Sequence, residues 1–159
     1  MISRSLRNCS VELVLRWHQV LKKCAAINIE LMITGTSRTP QDHFALWMQG
    51  RESLDKVNAQ RKICGMAPIT EKENEKKRTW TMNSKHIVTP DHPLSDAIDF
   101  VIMRNGKPIW NDNVDANDNN IPDYIEVAKI AEECGLKAGA FFLDGKGKPS
   151  PDYCHVEMI

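Results

Sequence analysis

Apolar residues recur at mostly helical spacing from residue 11 to 26, at Val11, Val14, Leu15, Trp17, Leu21 and Cys24, behind Ser10 as an N-cap. This predicts an amphipathic helix. Residues 29 to 34 form a short apolar run ended by Gly35, the pattern of a buried strand. Thr39 then reads as the N-cap of a second helix, with Pro40 at its first position, Asp42 in an acidic first turn and Gly50 as its stop. From Arg51 to Met82 the pattern fades into polar stretches, breaks at Gly65 and Pro68, and a mixed charge run from Glu71 to Arg78. A long excursion with at most a short helix is predicted there, of the kind that covers active sites, with Trp80 walling a cleft. Residues 97 to 103 read as a strand, Asn105-Gly106 as a hairpin turn and residues 107 to 110 as the returning strand. A helix from 121 to 134, with Ile125, Ala128, Ile130 and Ala131 inward, leads to strands at 136–143 and 153–159 around a Gly/Pro turn. Hairpins with segregated helices predict an α+β fold, a small antiparallel sheet with helices packed on it.

Composition narrows the picture only slightly. At 159 residues the chain fits one domain spanning 1–159. Lys plus Arg and Asp plus Glu both number 21, which argues against a dedicated nucleic-acid or anionic-membrane binder. Cys9, Cys24, Cys64, Cys134 and Cys154 are scattered with no C-x-x-C pair, so reduced thiols in a cytosolically made protein are expected, Cys154 among the core ones. No stretch is long enough to span a membrane, and charged residues interrupt the N-terminal region where a signal peptide would need an apolar run. If the substrate lies outside the cytosol, something else must deliver the protein.

The candidate chemistry gathers at two places. His86 and Asp99 flank a Pro-containing loop, and Asp152, His155 and Glu157 close the chain. His86, Asp99 and His155 make a plausible three-ligand zinc set with an open fourth position. Asp152, three residues before His155, is close enough to serve as general base and then general acid. Glu157 shares the face of His155 on a strand and can orient its imidazole. Spacing alone leaves this open, since two histidines so far apart are commoner without a metal. Arg38 falls at a strand-to-helix corner, where side chains often point into a cleft, although a lone loop arginine is usually a surface group.

The pattern Ser84-x-His86, Ala97-x-Asp99-Phe100 and Asp152-x-x-His155-Val156-Glu157 resembles the zinc D-Ala-D-Ala carboxypeptidase and L-alanyl-D-glutamate peptidase family, in particular phage endolysins of the second type. Asn105-Gly106-Lys107 with Trp110-Asn111-Asp112 extends the likeness, which runs from about residue 33 to 159. The resemblance implies a VanY-like zinc peptidase fold, also described as Hedgehog/D-peptidase-like. It implies one catalytic zinc on His86, Asp99 and His155, with Asp152 as acid/base. Arg38, followed by Gln41, would neutralise the oxyanion, and Ser84 would support the His86 loop or touch substrate. One departure stands out: Asp99 lies thirteen residues beyond His86, where the family pattern has seven, and it is His92 that has the family spacing. His86 is expected as ligand, with His92 as its competitor.

Asp115, Asn117, Asn119, Asp123 and Glu126 occupy positions 1, 3, 5, 9 and 12 of an EF-hand order, with Asn120 where a glycine is usual. A calcium site is weighed there against a polar turn capping the next helix. The reading is thus a monomeric zinc endopeptidase without a separate wall-binding domain, cutting the L-Ala–D-Glu bond of peptidoglycan stem peptides for host lysis. It would reach the wall after membrane permeabilisation, without inserting in the membrane itself. D-Ala-D-Ala carboxypeptidase or dipeptidase activity is the first alternative. A metal-stabilised wall-binding or structural module without turnover is the second.

Overall fold

The computed structural model describes residues 2–159. Helix α1 (Val11–Ala26) and strand β1 (Glu30–Gly35) come first, then α2 (Pro40–Met48), α3 (Leu54–Ile63) and the single turn α4 (Glu71–Asn74). A hairpin of β2 (Ala97–Arg104) and β3 (Lys107–Ile109) follows, then α5 (Asp123–Glu133), β4 (Leu136–Ala138) and β5 (His155–Met158). The strands make one five-stranded antiparallel sheet in the order β1-β2-β5-β4, with β5 on the first half of β2 and β3 on the second. This is the expected α+β architecture. Among the described residues, no helix is long and apolar enough to cross a membrane.

The core lies between β2 and the helix pair α1 and α5. The Phe100 ring centroid is 5.6 Å from that of Trp17 and 6.0 Å from that of Tyr124, so one strand residue joins both helices. Truncating a buried aromatic of this kind typically costs about 3–5 kcal/mol. The inward stripe of α1 is Leu13, Trp17, Val20 and Cys24, whereas Val11 and Leu15 are 72% and 56% exposed. The helix carries apolar residues on more than one face, and the bulk of Trp17 decides which face meets the sheet. On α5 the buried residues are Tyr124, Val127, Ala128 and Ala131 rather than Ile125 and Ile130. Tyr124 fixes that rotation, because its hydroxyl donates to the Ile109 carbonyl at 2.9 Å as its ring packs on Phe100.

The strand expected over 136–143 stops at Ala138 and passes into a 3₁₀ turn, Gly139–Phe141. The reason is a close backbone approach. A Cβ on Gly139 would stand 2.3 Å from the Asp152 carbonyl oxygen and 3.0 Å from the His155 Cβ. The excursion from 51 to 82 holds two helices, α3 and α4, and is tied to α2. There the Arg51 guanidinium donates to the Thr79 carbonyl at 3.0 Å and the Gln49 amide to that of Glu73 at 2.8 Å. The fully buried His43 ring adds a third tie, its Nε2 standing 2.7 Å from the Thr81 carbonyl oxygen. At the start of α2, Thr39 and Asp42 form a reciprocal capping box.

Candidate metal centre

Sheet register brings the two halves of the pattern together. Asp99 on β2 and His155 on β5 are directly paired across the antiparallel ladder, a spacing at which side chains on one face touch. His86 arrives from a loop pinned by its own backbone: its carbonyl accepts from the Arg38 N–H at 2.9 Å, and the neighbouring Lys85 carbonyl accepts from Asp96 at 2.9 Å. The result is a tight triangle. His86 Nε2 and His155 Nδ1 each stand 3.0 Å from Asp99 Oδ1 and 3.3 Å from one another.

The outward nitrogens set the tautomers. His86 Nδ1 abuts the Thr36 carbonyl oxygen and His155 Nε2 lies 3.1 Å from Glu157 Oε2. Both partners are acceptors, so both outward nitrogens carry a hydrogen, and each inward nitrogen can offer a lone pair to a metal once any proton it shares with Asp99 is released. Two ring nitrogens and a carboxylate converging on one point need a cation between them, a proton or a metal ion. Tetrahedral zinc with bonds of about 2.1 Å separates its ligands by roughly 3.4 Å, close to the spacing observed. His86, Asp99 and His155 therefore fit zinc as they stand, and the three ligand atoms lie within 4.8 Å of one another. Burial would raise the Asp99 carboxyl, but hydrogen bonds from His155 and His86 pull it well below the usual carboxylate range. Burial lowers His155, and its contacts with Asp99 and Glu157 outweigh this and raise it to about 9 in the metal-free site.

Around this corner opens a cleft of about 810 Å³. Asp152 lines it, exposed, and its Oδ1 accepts from the Cys154 thiol at 3.4 Å. Cys154 is therefore half-buried beside the cleft, not a purely core residue, because the chain turns at 153–154 before entering β5. Burial pushes its thiol up to about 12, so it stays protonated and able to donate. Arg38 is 11% exposed in its side chain, with Nη2 3.7 Å from Asp99 Oδ2. Desolvation lowers its guanidinium while the Asp99 charge works the other way. Ser84 lines the same cleft and its hydroxyl accepts from the His86 N–H at 3.4 Å. Trp80 stands on the cleft wall, 73% exposed.

Other expected residues lie elsewhere. His92 is outside the triangle, with Nε2 3.3 Å from Asp96 Oδ2. The irregular spacing has a local explanation: Thr89 and His92 exchange backbone hydrogen bonds of 2.9 and 3.1 Å, so the extra residues close on themselves as a turn. Gln41 is exposed and lines a separate shallow groove with Pro40, Val88 and Pro90, not the metal cleft. In the Asp/Asn-rich loop, Asp115 accepts from the Asn119 and Asn120 N–H groups at 3.1 and 2.8 Å. The two Glu126 carboxylate oxygens accept from the Asn117 and Asn119 amides at 3.0 and 2.7 Å. Asp123 is fully buried and turned to the Ala116 N–H.

Sequence reasoning missed two supports. The Thr36 carbonyl that orients His86 is itself met by the buried Ser95 hydroxyl at 2.9 Å, and a carbonyl has no side-chain signature. Gly139 had one, since a glycine inside an apparent strand marks a close backbone approach.

This architecture, helices packed on a small antiparallel sheet, is shared with solved peptidoglycan peptidases. The chain superposes on the L-Ala D-Glu endopeptidase ChiX of Serratia marcescens with a TM-score of 0.51 and 14% identity, covering 100% of this chain and 89% of that one. It also superposes on the vancomycin-resistance D,D-pentapeptidase VanY, from a VanB-type cassette and in complex with Zn(II), at TM-score 0.53 and 12% identity, covering 99% and 78%. In sequence, 69 residues (43% of the chain) are 38% identical to the peptidoglycan L-alanyl-D-glutamate endopeptidase CwlK of Bacillus subtilis. That match spans 38% of the length of CwlK. No family model matches the chain. The resemblance to the VanY-like zinc D-peptidases is borne out, and the fold is theirs.

Proposed function

We propose that this chain is a zinc-dependent endopeptidase that hydrolyses the L-Ala–D-Glu bond of peptidoglycan stem peptides, in the lytic role of the endolysins it resembles. The observation that carries this is the His86–Asp99–His155 triangle, which opens into a cleft that also holds Arg38 and Asp152. Zinc on that triangle supplies Lewis-acid polarisation of a carbonyl and activation of water. Asp152 takes the proton released as water attacks and returns it to the leaving amine. Arg38 faces the oxyanion that forms on the scissile carbonyl, an electrostatic contribution that gives large rate effects. Glu157 and the Thr36 carbonyl hold the outward N–H groups of the two imidazoles, so the ligand rings keep their orientation through turnover. The likeness to CwlK over 69 residues favours L-Ala–D-Glu among the bonds of the stem.

The test is digestion of purified muropeptides by zinc-loaded protein, read by mass spectrometry. Fragments beginning with D-Glu are expected. Release of D-Ala instead would move the reading to a carboxypeptidase, and intact muropeptides would retire the enzyme.

A second cation reading attaches to the 115–126 loop. We infer that it holds calcium, supported by the EF-hand order and by the way the Asn117 and Asn119 amides meet the two oxygens of Glu126 while Asp115 accepts from the Asn119 N–H. Calorimetric titration of calcium into metal-stripped protein tests it, and an absence of heat refutes it.

A further inference from the structure

The cleft carries three cationic side chains, Arg38, Arg78 and Lys137. Two of them are engaged. Arg38 faces Asp99 at 3.7 Å, and Lys137 is the cross-strand partner of Glu157 with its Nζ 4.9 Å from the Phe142 ring centroid. Arg78 is different. Among the described residues no ion pair or hydrogen bond engages its side chain, although it lines the same cleft as the metal corner. It shares the cleft wall with the other two cations, Arg38 and Lys137. An exposed guanidinium held beside other cations at the wall of a cleft is stabilised by an anion entering that cleft, and its planar fork suits a carboxylate.

The proposed substrate has such an anion in the right position. This step rests on the reading given under Proposed function. The leaving residue, D-Glu, continues the stem through its γ-carboxyl, so its α-carboxylate is free. That carboxylate is bonded to the carbon that bears the leaving nitrogen, which forces it to lie in the cleft beside the scissile bond. We infer that Arg78 binds the α-carboxylate of the residue on the leaving side, making the protein selective for D-Glu over its α-amidated form, D-isoglutamine. Arg78 is then a specificity residue on the excursion that walls the cleft, with a role separate from the oxyanion role of Arg38.

The experiment separates binding from turnover. Calorimetry on the zinc-loaded protein compares γ-D-glutamyl-L-lysine, the leaving-side fragment, with its α-amide. Wild type is expected to bind the free acid at least about tenfold tighter, the size of one charge-assisted pair. Arg78→Gln should bring the two affinities to within about twofold, with Arg78→Lys between. Lys137→Gln should keep the wild-type ratio. Equal affinities in wild type, an undiminished ratio in Arg78→Gln, or a ratio that collapses in Lys137→Gln instead would each overturn the inference. Turnover is scored separately on the whole stem peptide. Arg78-dependent binding without turnover would sink the proposed function alone, whereas turnover with carboxylate-independent binding would sink this inference alone.

Discussion

The metal corner and the 115–126 loop are both dense in ligand atoms, yet they are built in opposite ways. At the corner every outward N–H is already engaged, His86 with Thr36 and His155 with Glu157, and what points inward are two ring nitrogens and a carboxylate oxygen with only exchangeable protons between them. In the loop the carboxylates are already served: Glu126 by two side-chain amides, Asp115 by two backbone N–H groups and Asp123 by a third. A cation entering the corner displaces only protons held among its own ligands, with no other donor group to move. One entering the loop must turn the Asn117 and Asn119 amides over, so that oxygen rather than nitrogen faces Glu126. The cost of a ligand site therefore depends less on how many acceptors it gathers than on which donors already hold them.

The hardest way to break this comparison is to remove a ligand from the corner. His155→Ala and His86→Ala should each abolish stoichiometric zinc and lower kcat/KM by on the order of a thousandfold or more, because the remaining ligands cannot hold the ion in place. His92→Ala should keep both zinc and activity. Metal analysis with muropeptide turnover checks all three, and zinc retained in His86→Ala would return the ligand role to His92.

Next in size is Asp152→Asn, which leaves the triangle intact and removes the proton acceptor. A fall in kcat of about 10²–10⁴ with zinc content unchanged is expected, the usual contribution of a general base. Equal loss of zinc and activity would make Asp152 a ligand instead.

How much of this was legible in the sequence follows from the same contrast. Asp99 and His155 can be read because strand alternation fixes which face each shares, and Glu157 follows by its spacing of two. The capping box at Thr39 is legible for a similar reason, since it depends only on local spacing. The choice between His86 and His92 is not, because it depends on a turn closing at Thr89 and His92 that no residue type announces. Nor are the inward faces of α1 and α5, whose apolar residues lie on more than one side until Trp17 and Tyr124 pick a partner in Phe100. The Thr36 carbonyl is invisible for the plainest reason, that every residue has one.

A milder perturbation acts on the wall beside the corner. The buried His43 ring spends Nε2 on the Thr81 carbonyl, while its Nδ1 is buried with no hydrogen-bond partner. Burial lowers its affinity for a second proton, the Thr81 carbonyl works the other way, and the charge of Arg38 sides with burial, so the net shift is downward. The folded state thus binds fewer protons here than the unfolded chain, so this contribution to stability is present above the ordinary histidine range near 6.5 and is lost as pH falls through it. Hydrogen exchange of residues 79–83 should rise between pH 7.5 and 5.5, after correction for intrinsic rates, and His43→Gln should flatten that rise. An unchanged profile would detach His43 from the cleft wall.

The smallest effect belongs to the loop, and it tests the contrast most directly. Because calcium there must first undo hydrogen bonds to Glu126, it should add only on the order of 1 kcal/mol, a rise of about 2–4 °C in Tm for a chain of this size. Zinc, meeting ligand atoms already converged, should raise Tm by more. Asn117→Ala removes one amide on Glu126 and should abolish the calcium shift while leaving zinc content as in wild type. Parallel thermal scans with each ion decide it. A calcium shift as large as that of zinc would mean that the loop is as ready as the corner, and that the donors holding its carboxylates cost almost nothing to move.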